Sequence, residues 1–252
     1  MTNDEASSNA QMTNLGSTTL SVLGLPQTFV IRYSSFVIFS LFALTIYGEP
    51  RPSAQDVLAS VRMQQSMQRL DLRGQLREDN LVIPFRLIQT GPVIRYAFEN
   101  PEEVLQLRLG ENSSRLDVVS DTATTRVRAS NLHQKIRGTA VTYADLALKF
   151  LYWPDGAVLG EETVRTRRCW KLQLRAPSRE SPYSNVLLWV DEASGALMRL
   201  DCYDWKGQLV KRFEVVSGQK IDNRWFLKQM RIEEVQPGPN TVVARTYLEI
   251  KK

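Results

Sequence analysis

The chain has 252 residues, of which 43% are hydrophobic and 23% charged, a composition that is ordinary for a globular protein. The formal net charge is +5, but arginines are spread along predicted strand faces and do not cluster with stacking aromatics, which argues against nucleic-acid binding. Cys169 and Cys202 are too few for a disulfide scaffold, and a single histidine leaves no visible set of four zinc ligands. We therefore expect no cofactor and no metal.

Residues 1–48 are predicted to be a signal peptide. Phe36–Ile46 is an apolar run of eleven residues, and Arg32 prevents an uncharged extension of it upstream. A signal-peptide core needs about 7–15 apolar residues, whereas a membrane-spanning helix needs about 20. We expect cleavage near Gly48. The alternatives are an uncleaved signal anchor, and a translation start at Met12 or later that would shorten the unusually long leader.

No cysteine stands just after this run, so the modified cysteine of a bacterial lipoprotein is missing. No linker-like or repeated segment follows residue 53. Residues 49–252 are therefore predicted to form a single domain, soluble in the periplasm.

The first element of this domain is a predicted helix over Ser53–Leu70. Ser53 and Asp56 suit its start. Its apolar side is rich in methionine and wide enough to cover one end of a sheet. The apolar residues that recur at helical spacing are Val57, Leu58, Val61, Met63, Met67 and Leu70.

From Leu70 onward, alternating apolar and polar residues predict about a dozen short strands. Consecutive strands this close must pair antiparallel, because parallel neighbours need a long crossover. The N-terminal strands are expected at Asp71–Arg77, Leu81–Gln89, Val93–Glu99, Val104–Leu109, Arg115–Val119 and Thr125–Arg128. The C-terminal strands are expected at Arg168–Arg175, Asn185–Asp191, Leu197–Asp204, Gln208–Val216, Arg224–Glu234 and Thr241–Ile250.

One helical interruption is predicted between these two sets of strands. Thr142 is a plausible N-cap for a helix over Tyr143–Trp153. Leu146, Phe150 and Trp153 share one face of it. So much aromatic surface on a short helix must pack against something apolar.

The residues offer no enzyme template. His133, the only histidine, falls between elements and is expected to be a solvated loop residue. The adjacent Glu161 and Glu162 would point to opposite faces of a strand, so they are read as turn and edge charges. No phosphate-binding glycine loop or metal-ligand spacing is present. We therefore predict that the protein has no catalytic residues and is not an enzyme.

The strands carry apolar residues on one face, and that face must be covered by helices or by a ligand. Trp170 and Leu172 share a face of one strand, and Met198, Leu200 and Cys202 share a face of another. Small barrels fill with side chains, whereas larger ones enclose cavities. A filled core and a ligand cavity therefore both remain open at this point.

Residues 138–250 resemble the outer-membrane lipoprotein-sorting (LolA-like) family of periplasmic carriers, in particular its divergent branch of uncharacterised secreted proteins. The resemblance rests on four stretches in a fixed order: Gly138–Leu146, Leu159–Leu172, Tyr183–Asp191 and Arg199–Lys211. The chain departs from the family at Thr166, where a glycine is common, and at Ala140-Val141, where Asp-Phe is common.

This resemblance implies a mainly β fold, in which a curved antiparallel sheet forms a half-open barrel lidded by helices over a cavity for acyl chains. On this basis we expect Leu146, Phe150 and Trp153 to lid an apolar chamber. Its expected floor residues are Trp170, Leu172, Leu188, Leu200, Phe213, Phe226 and Met230. Charged headgroups could meet Arg165, Arg167 or Arg168 at the mouth, although these arginines could equally be a solvated turn cluster.

Two functions compete on this evidence. The first is a periplasmic carrier or binder of lipid or lipoprotein acyl chains, with an envelope transporter or membrane acceptor as a possible partner. The second is an envelope scaffolding protein with a filled core. A third function, that of an enzyme such as an esterase, has the least support from the sequence. Cys169 and Cys202 are not expected to form a disulfide, because strand alternation places them on opposite faces and another strand lies between theirs.

Overall fold

The structure is a computed structural model that describes residues 51–221 and 224–251. The apolar run Phe36–Ile46 and the expected cleavage site near Gly48 lie outside the described residues. The described residues form thirteen strands, two α-helices and two short 3-10 helices, which confirms the predicted mainly β class. No helix in this part of the chain is both long and apolar enough to cross a membrane.

The first helix, α1, covers Ala54–Ser66 and begins with a capping box. The Ser53 hydroxyl accepts from the Asp56 amide at 3.1 Å, and the Asp56 carboxylate accepts from the Ser53 amide at 3.2 Å. These reciprocal bonds satisfy amide groups that the helix leaves free at its start. The predicted Ser53–Leu70 helix is too long, because its last residues enter the first strand.

The apolar face of α1 is also smaller than predicted. Val57, Leu58 and Val61 are buried in the main core, whereas Met63 and Met67 are 53% and 71% exposed. The methionines therefore do not cover the sheet. The packed part of α1 contacts strand β7, defined below, and the 3-10 helix at Lys149–Tyr152.

The strands form a single antiparallel sheet. Those of the N-terminal half are β1 (Arg69–Glu78), β2 (Leu81–Thr90), β3 (Val93–Phe98), β4 (Glu103–Leu109), β5 (Ser114–Val119) and β6 (Thr124–Arg126). Those of the C-terminal half are β7 (Asp155–Val164), β8 (Arg167–Arg175), β9 (Asn185–Asp191), β10 (Leu197–Tyr203), β11 (Leu209–Ile221), β12 (Arg224–Gln236) and β13 (Thr241–Lys251).

The two halves join where β1 pairs with β13, in a register that aligns Leu76 with Leu248. The sheet order is therefore β6-β5-β4-β3-β2-β1-β13-β12-β11-β10-β9-β8-β7. The two edges are β6 and β7, which are consecutive in the chain. This open, curved sheet has the half-open barrel architecture that was expected.

Residues 127–154, here called the linking segment, connect one edge of the sheet to the other. They contain a 3-10 helix at Ala129–Asn131, helix α2 at Tyr143–Ala147 and a second 3-10 helix at Lys149–Tyr152. The predicted helix over Tyr143–Trp153 is thus interrupted. Leu148 takes a left-handed conformation with φ of 49°, which an α-helix cannot contain, so the chain turns between the two short helices.

Strand β7 was missed by the sequence reasoning. It begins at Asp155, two residues after the predicted helix end at Trp153. Glu161 and Glu162 do carry the predicted edge charges, because β7 is an edge strand. They form ion pairs with Arg168 at 2.6 Å and Lys171 at 2.9 Å. His133 lies exposed in a turn, as expected.

The two faces of the sheet are packed differently. The main core contains Leu200 and Cys202 together with the buried residues of α1 and the linking segment, whereas Cys169, Trp189 and Met198 belong to a smaller cluster. Met198 was expected beside Leu200. A register shift between β9 and β10 at this residue turns it to the other cluster.

Both cysteines are buried and free. They belong to different clusters, and β9 lies between their strands, which confirms the predicted placement.

Candidate ligand pocket

A pocket of about 380 Å³ lies between the linking segment and the sheet. This volume falls within the roughly 300–1,000 Å³ of ligand-binding pockets. Its walls are mainly aliphatic and aromatic, and we call it the apolar pocket. The linking segment contributes one wall and the sheet another. The sheet residues on the wall are Tyr96, Ser114, Arg126, Leu197, Leu200, Cys202, Phe213, Met230, Ile232 and Leu248.

All three residues expected in the lid lie on this wall. Leu146 lies in α2, Phe150 lies in the second 3-10 helix, and Trp153 directly follows that helix. Phe150 and Trp153 are 7% and 6% exposed. The break at Leu148 is what lets residues from two short helices face one space.

Three of the seven expected floor residues also line the apolar pocket: Leu200, Phe213 and Met230. Leu172 and Leu188 do not line it, and both are completely buried in the main core. Trp170 is half-buried against that core but is off the pocket wall. Phe226 is half-buried and belongs to neither hydrophobic cluster. The alternation of apolar residues along a strand therefore predicted which side chains face the interior. It did not distinguish those in the packed core from those that line the pocket.

The arginines proposed for a headgroup lie elsewhere. None of Arg165, Arg167 and Arg168 lines the apolar pocket. Each pairs with a carboxylate: Arg165 with Glu214 at 3.4 Å, Arg167 with Asp191 at 2.7 Å, and Arg168 with Glu161. Because these charges are neutralised by their neighbours around the β7–β8 turn, the structure places the three arginines in a surface ion-pair cluster.

A buried polar network fixes α2 beside the apolar pocket. Asp145 in α2 accepts from Lys211 Nζ at 2.8 Å and from the Tyr183 hydroxyl at 2.7 Å. It also accepts from the Thr142 amide at 2.7 Å and the Thr142 hydroxyl at 2.8 Å. Burial, followed by the charge of Asp145, raises the pKa of Tyr183 well above its usual 10. Tyr183 therefore keeps its proton and remains a donor.

Sequence reasoning missed this network, although signals for it existed. The spacing of Thr142 and Asp145 is that of a capping box. Alternation along β11 places Lys211 on the same face as Phe213, and a lysine on an apolar face requires a partner. What could not be predicted is that α2 would bring Asp145 to that lysine.

The loop between β8 and β9 forms a further wall that the sequence did not predict. It supplies Pro177, Ser178, Glu180, Ser181, Pro182 and Tyr183 to the apolar pocket. Two prolines in this short loop predict a turn, but its position over the sheet depends on tertiary contacts. Trp205 Nε1 donates to the Ser181 carbonyl at 2.9 Å, which holds the loop against the β10–β11 turn.

Hydrogen bonds tie the linking segment to the N-terminal half of the sheet as well. The Tyr143 hydroxyl donates to Glu103 at 3.0 Å, and the Tyr152 hydroxyl donates to the Gly110 carbonyl at 2.9 Å. Since Lys211 belongs to the C-terminal half, the linking segment is anchored to both halves of the sheet. The pocket wall that it forms is thus held from two sides.

No group of three or more His, Cys, Asp or Glu side chains within residues 51–221 and 224–251 could hold a metal ion. Burial is the main cause of the raised pKa values on the pocket wall, which are those of Tyr96, Tyr152, Tyr183 and Cys202. All four groups are thereby held in their protonated forms.

Solved structures share this architecture. A DUF1329 family protein from Desulfovibrio piger is 21% identical, with a TM-score of 0.59 over 79% of this chain and 90% of its own. A putative outer membrane lipoprotein-sorting protein domain from Vibrio parahaemolyticus is 14% identical, with a TM-score of 0.59 over 77% and 89%. A LolA superfamily protein from Nitrosomonas europaea is 15% identical, with a TM-score of 0.56 over 80% and 93%. At these identities the likeness concerns the fold alone.

No curated protein sequence matches the chain. A family model described as an uncharacterized protein matches residues 120–252, which is more than half of the chain. The matched region contains the linking segment, the β8–β9 loop and every C-terminal strand, so it includes most of the apolar pocket. The chain therefore belongs to this uncharacterized protein family, and its fold is the one seen in the LolA superfamily and lipoprotein-sorting structures.

Proposed function

We propose that this protein is a carrier or binder of lipid acyl chains in the bacterial envelope. The observation that carries the proposal is the apolar pocket between the linking segment and the curved sheet. Leu146, Phe150 and Trp153 line it together with Phe213 and Met230. A methylene group transferred from water to such a wall contributes about 0.8 kcal/mol, before the cost of ordering the chain. A long acyl chain can therefore bind without any strong polar contact.

The wall composition supports a ligand of variable shape. Leu146 and Met230 are only partly buried, and the unbranched, flexible side chain of methionine repacks easily around different ligands. The Vibrio parahaemolyticus protein that shares this fold is a putative outer membrane lipoprotein-sorting domain, which supports the same ligand class. We propose a non-enzymatic role, with delivery to an envelope transporter or membrane acceptor as the corresponding partnership.

The test is the binding of a fluorescent fatty acid to the purified protein, together with native mass spectrometry for co-purified lipid. Met230→Trp adds volume to the pocket wall and should weaken binding about tenfold or more, because overfilled sites force neighbouring side chains to move. Met63→Trp is the matched control, since Met63 is 53% exposed on α1 and off the pocket wall. It should leave binding unchanged.

If the unmodified protein binds no such probe and carries no lipid, the acyl-chain proposal fails. A scaffolding role with a closed interior would then replace it. If Met230→Trp and Met63→Trp weaken binding equally, the ligand does not occupy the apolar pocket. Thermal unfolding of both variants checks that each is folded.

We also propose that the protein acts in the periplasm after removal of residues 1–48, leaving residues 49–252 as one domain. The apolar run Phe36–Ile46 supports this. The mature protein should appear in the soluble fraction after osmotic shock, with an N-terminus close to Glu49. Recovery of full-length protein only from detergent-extracted membranes would contradict this.

A further inference from the structure

A second pocket, of about 470 Å³, adjoins the apolar pocket. The two share five wall residues, Ser114, Leu132, Arg126, Lys149 and Glu180. The second pocket has a different chemical character, because four of its wall residues are basic and one is acidic. We call it the basic pocket. Its basic residues are Arg115, Arg126, Arg128 and Lys149.

Three of these four cations lack a carboxylate partner. Among the described residues, Arg126, Arg128 and Lys149 form no ion pair within 4.0 Å, whereas Arg115 pairs with Asp117 at 2.6 Å. Glu180, the single acidic wall residue, is exposed. The wall therefore holds an excess of positive charge. Like charges gathered in one concave site repel each other, and a bound anion would relieve that repulsion.

The arginines around the β7–β8 turn, in contrast, are paired with carboxylates. There, Arg165, Arg167 and Arg168 each have a carboxylate within 3.4 Å. The surface arginines around the β7–β8 turn are therefore neutralised by nearby carboxylates, whereas the cations beside the apolar pocket are not. The unpaired set comes from two separate elements, β6 with the residues after it and the second 3-10 helix.

Arg126 and Lys149 occupy the decisive position, because each lies on the wall of both pockets. A molecule that spans the junction would place an apolar part against Leu146 and Phe150 and a polar part against these two cations. An arginine fork and a lysine ammonium both bind phosphate and carboxylate oxygens.

We propose that the basic pocket is a subsite for the anionic group, a phosphate or a carboxylate, of an amphiphile whose apolar chain occupies the apolar pocket. This inference rests on the proposed function, and it further specifies that the ligand is negatively charged. Arg126 and Lys149 contact the anionic group at the junction, and Arg128 adds attraction farther from the apolar pocket. The headgroup site is thus formed by β6 and the linking segment.

The test compares three probes at low ionic strength: palmitate, the neutral monoglyceride of the same chain, and inorganic phosphate. The unmodified protein should bind palmitate more tightly than the monoglyceride. The variant Arg126→Gln/Lys149→Gln should lose about tenfold or more of palmitate affinity, as expected for removing hydrogen bonds to a charged group. It should keep its affinity for the monoglyceride.

The matched control is Arg73→Gln/Lys206→Gln, which removes the same charge from exposed residues that line neither pocket. It should leave the preference for palmitate unchanged. The preference of the unmodified protein should also shrink as salt is added, because partly exposed charges are screened.

The outcomes separate the two proposals. If neither amphiphile binds, the acyl-chain function itself fails. If the monoglyceride binds as tightly as palmitate, the function stands and the anionic subsite is wrong. An equal loss of palmitate affinity in the control variant would show a general effect of net charge and would also overturn the subsite. Phosphate that binds as tightly as palmitate would mean a site for a free anion and not for an amphiphile.

Discussion

Lys211 Nζ in β11 lies 2.8 Å from the Asp145 carboxylate in α2, and both side chains are almost completely buried, at 7% and 3% exposure. This ion pair joins the linking segment to the C-terminal half of the sheet at the wall of the apolar pocket. A buried carboxylate is tolerated only when it is well paired. Asp145 meets that requirement with Lys211, Tyr183 and two bonds from Thr142.

We predict that Lys211→Met destabilises the protein by about 3–5 kcal/mol, because it leaves Asp145 buried without its cation. The double variant Lys211→Met/Asp145→Asn should lose less, since no uncompensated charge remains. Urea unfolding monitored by tryptophan fluorescence measures both values. Equal losses in the single and double variants would show that the charge of Asp145 is not the cause.

The second prediction concerns acid stability. Burial tends to raise the pKa of Asp201, but hydrogen bonds from Arg212 at 2.8 Å and Arg199 at 2.7 Å outweigh it and hold this pKa below its usual 3.8. The folded state therefore binds the proton more weakly than the unfolded state. The resulting stabilisation is present above about pH 4 and is lost as the pH falls through the folded-state pKa.

Asp201→Asn should accordingly lower stability at pH 7 by roughly 1.5–3 kcal/mol, the range for hydrogen bonds to charged groups, and should flatten the loss of stability below pH 4. Asp121→Asn, at an exposed turn residue, is the control and should leave both unchanged. Unfolding free energies between pH 2.5 and 7 provide the measurement. An Asp201→Asn variant with an unchanged acid profile would refute the assignment.

The third prediction concerns the thiols. Burial raises the pKa of Cys169 to about 11 and that of Cys202 well above its usual 9. Because the thiolate is the reactive form, both cysteines should resist alkylation in the folded protein at pH 8. Both should react once the protein is unfolded in urea. Mass spectrometry of alkylated peptides measures this, and a Cys169–Cys202 bridge in the non-reduced digest would contradict the placement.

The fourth prediction concerns the pairing of β1 with its neighbours. A Cβ atom at Gly74 would lie 2.6 Å from a ring atom of Phe85 and 2.9 Å from the Glu249 carbonyl oxygen. Gly74→Ala should therefore cost about 1–3 kcal/mol of stability, as overpacking does. Gly218→Ala is the control, because its Cβ would have no contact closer than 3.4 Å. Thermal unfolding that ranks Gly218→Ala as the more damaging change would contradict this account.

Patterns over a few residues determined much of the fold. Alternation along β8, where Trp170, Leu172 and Leu174 face the main core, is visible in the sequence because successive strand residues point to opposite sides. The capping residues Ser53 and Thr142 were equally visible, since an N-cap depends on its own helix turn. For the same reason twelve of the thirteen strands were predicted, and only β7 was missed.

Only the tertiary structure decided how these elements meet. The pairing of β1 with β13 joins residues far apart in the chain, and no local pattern specifies such a partner. The register shift that moves Met198 away from Leu200 and the left-handed turn at Leu148 appear only in the structure. The placement of the cations beside the apolar pocket was also decided by the tertiary structure. Arg126 and Lys149 line the same pocket because the linking segment crosses from β6 to β7. The sequence shows that both residues are charged, but it does not show which distant part of the chain each will lie beside.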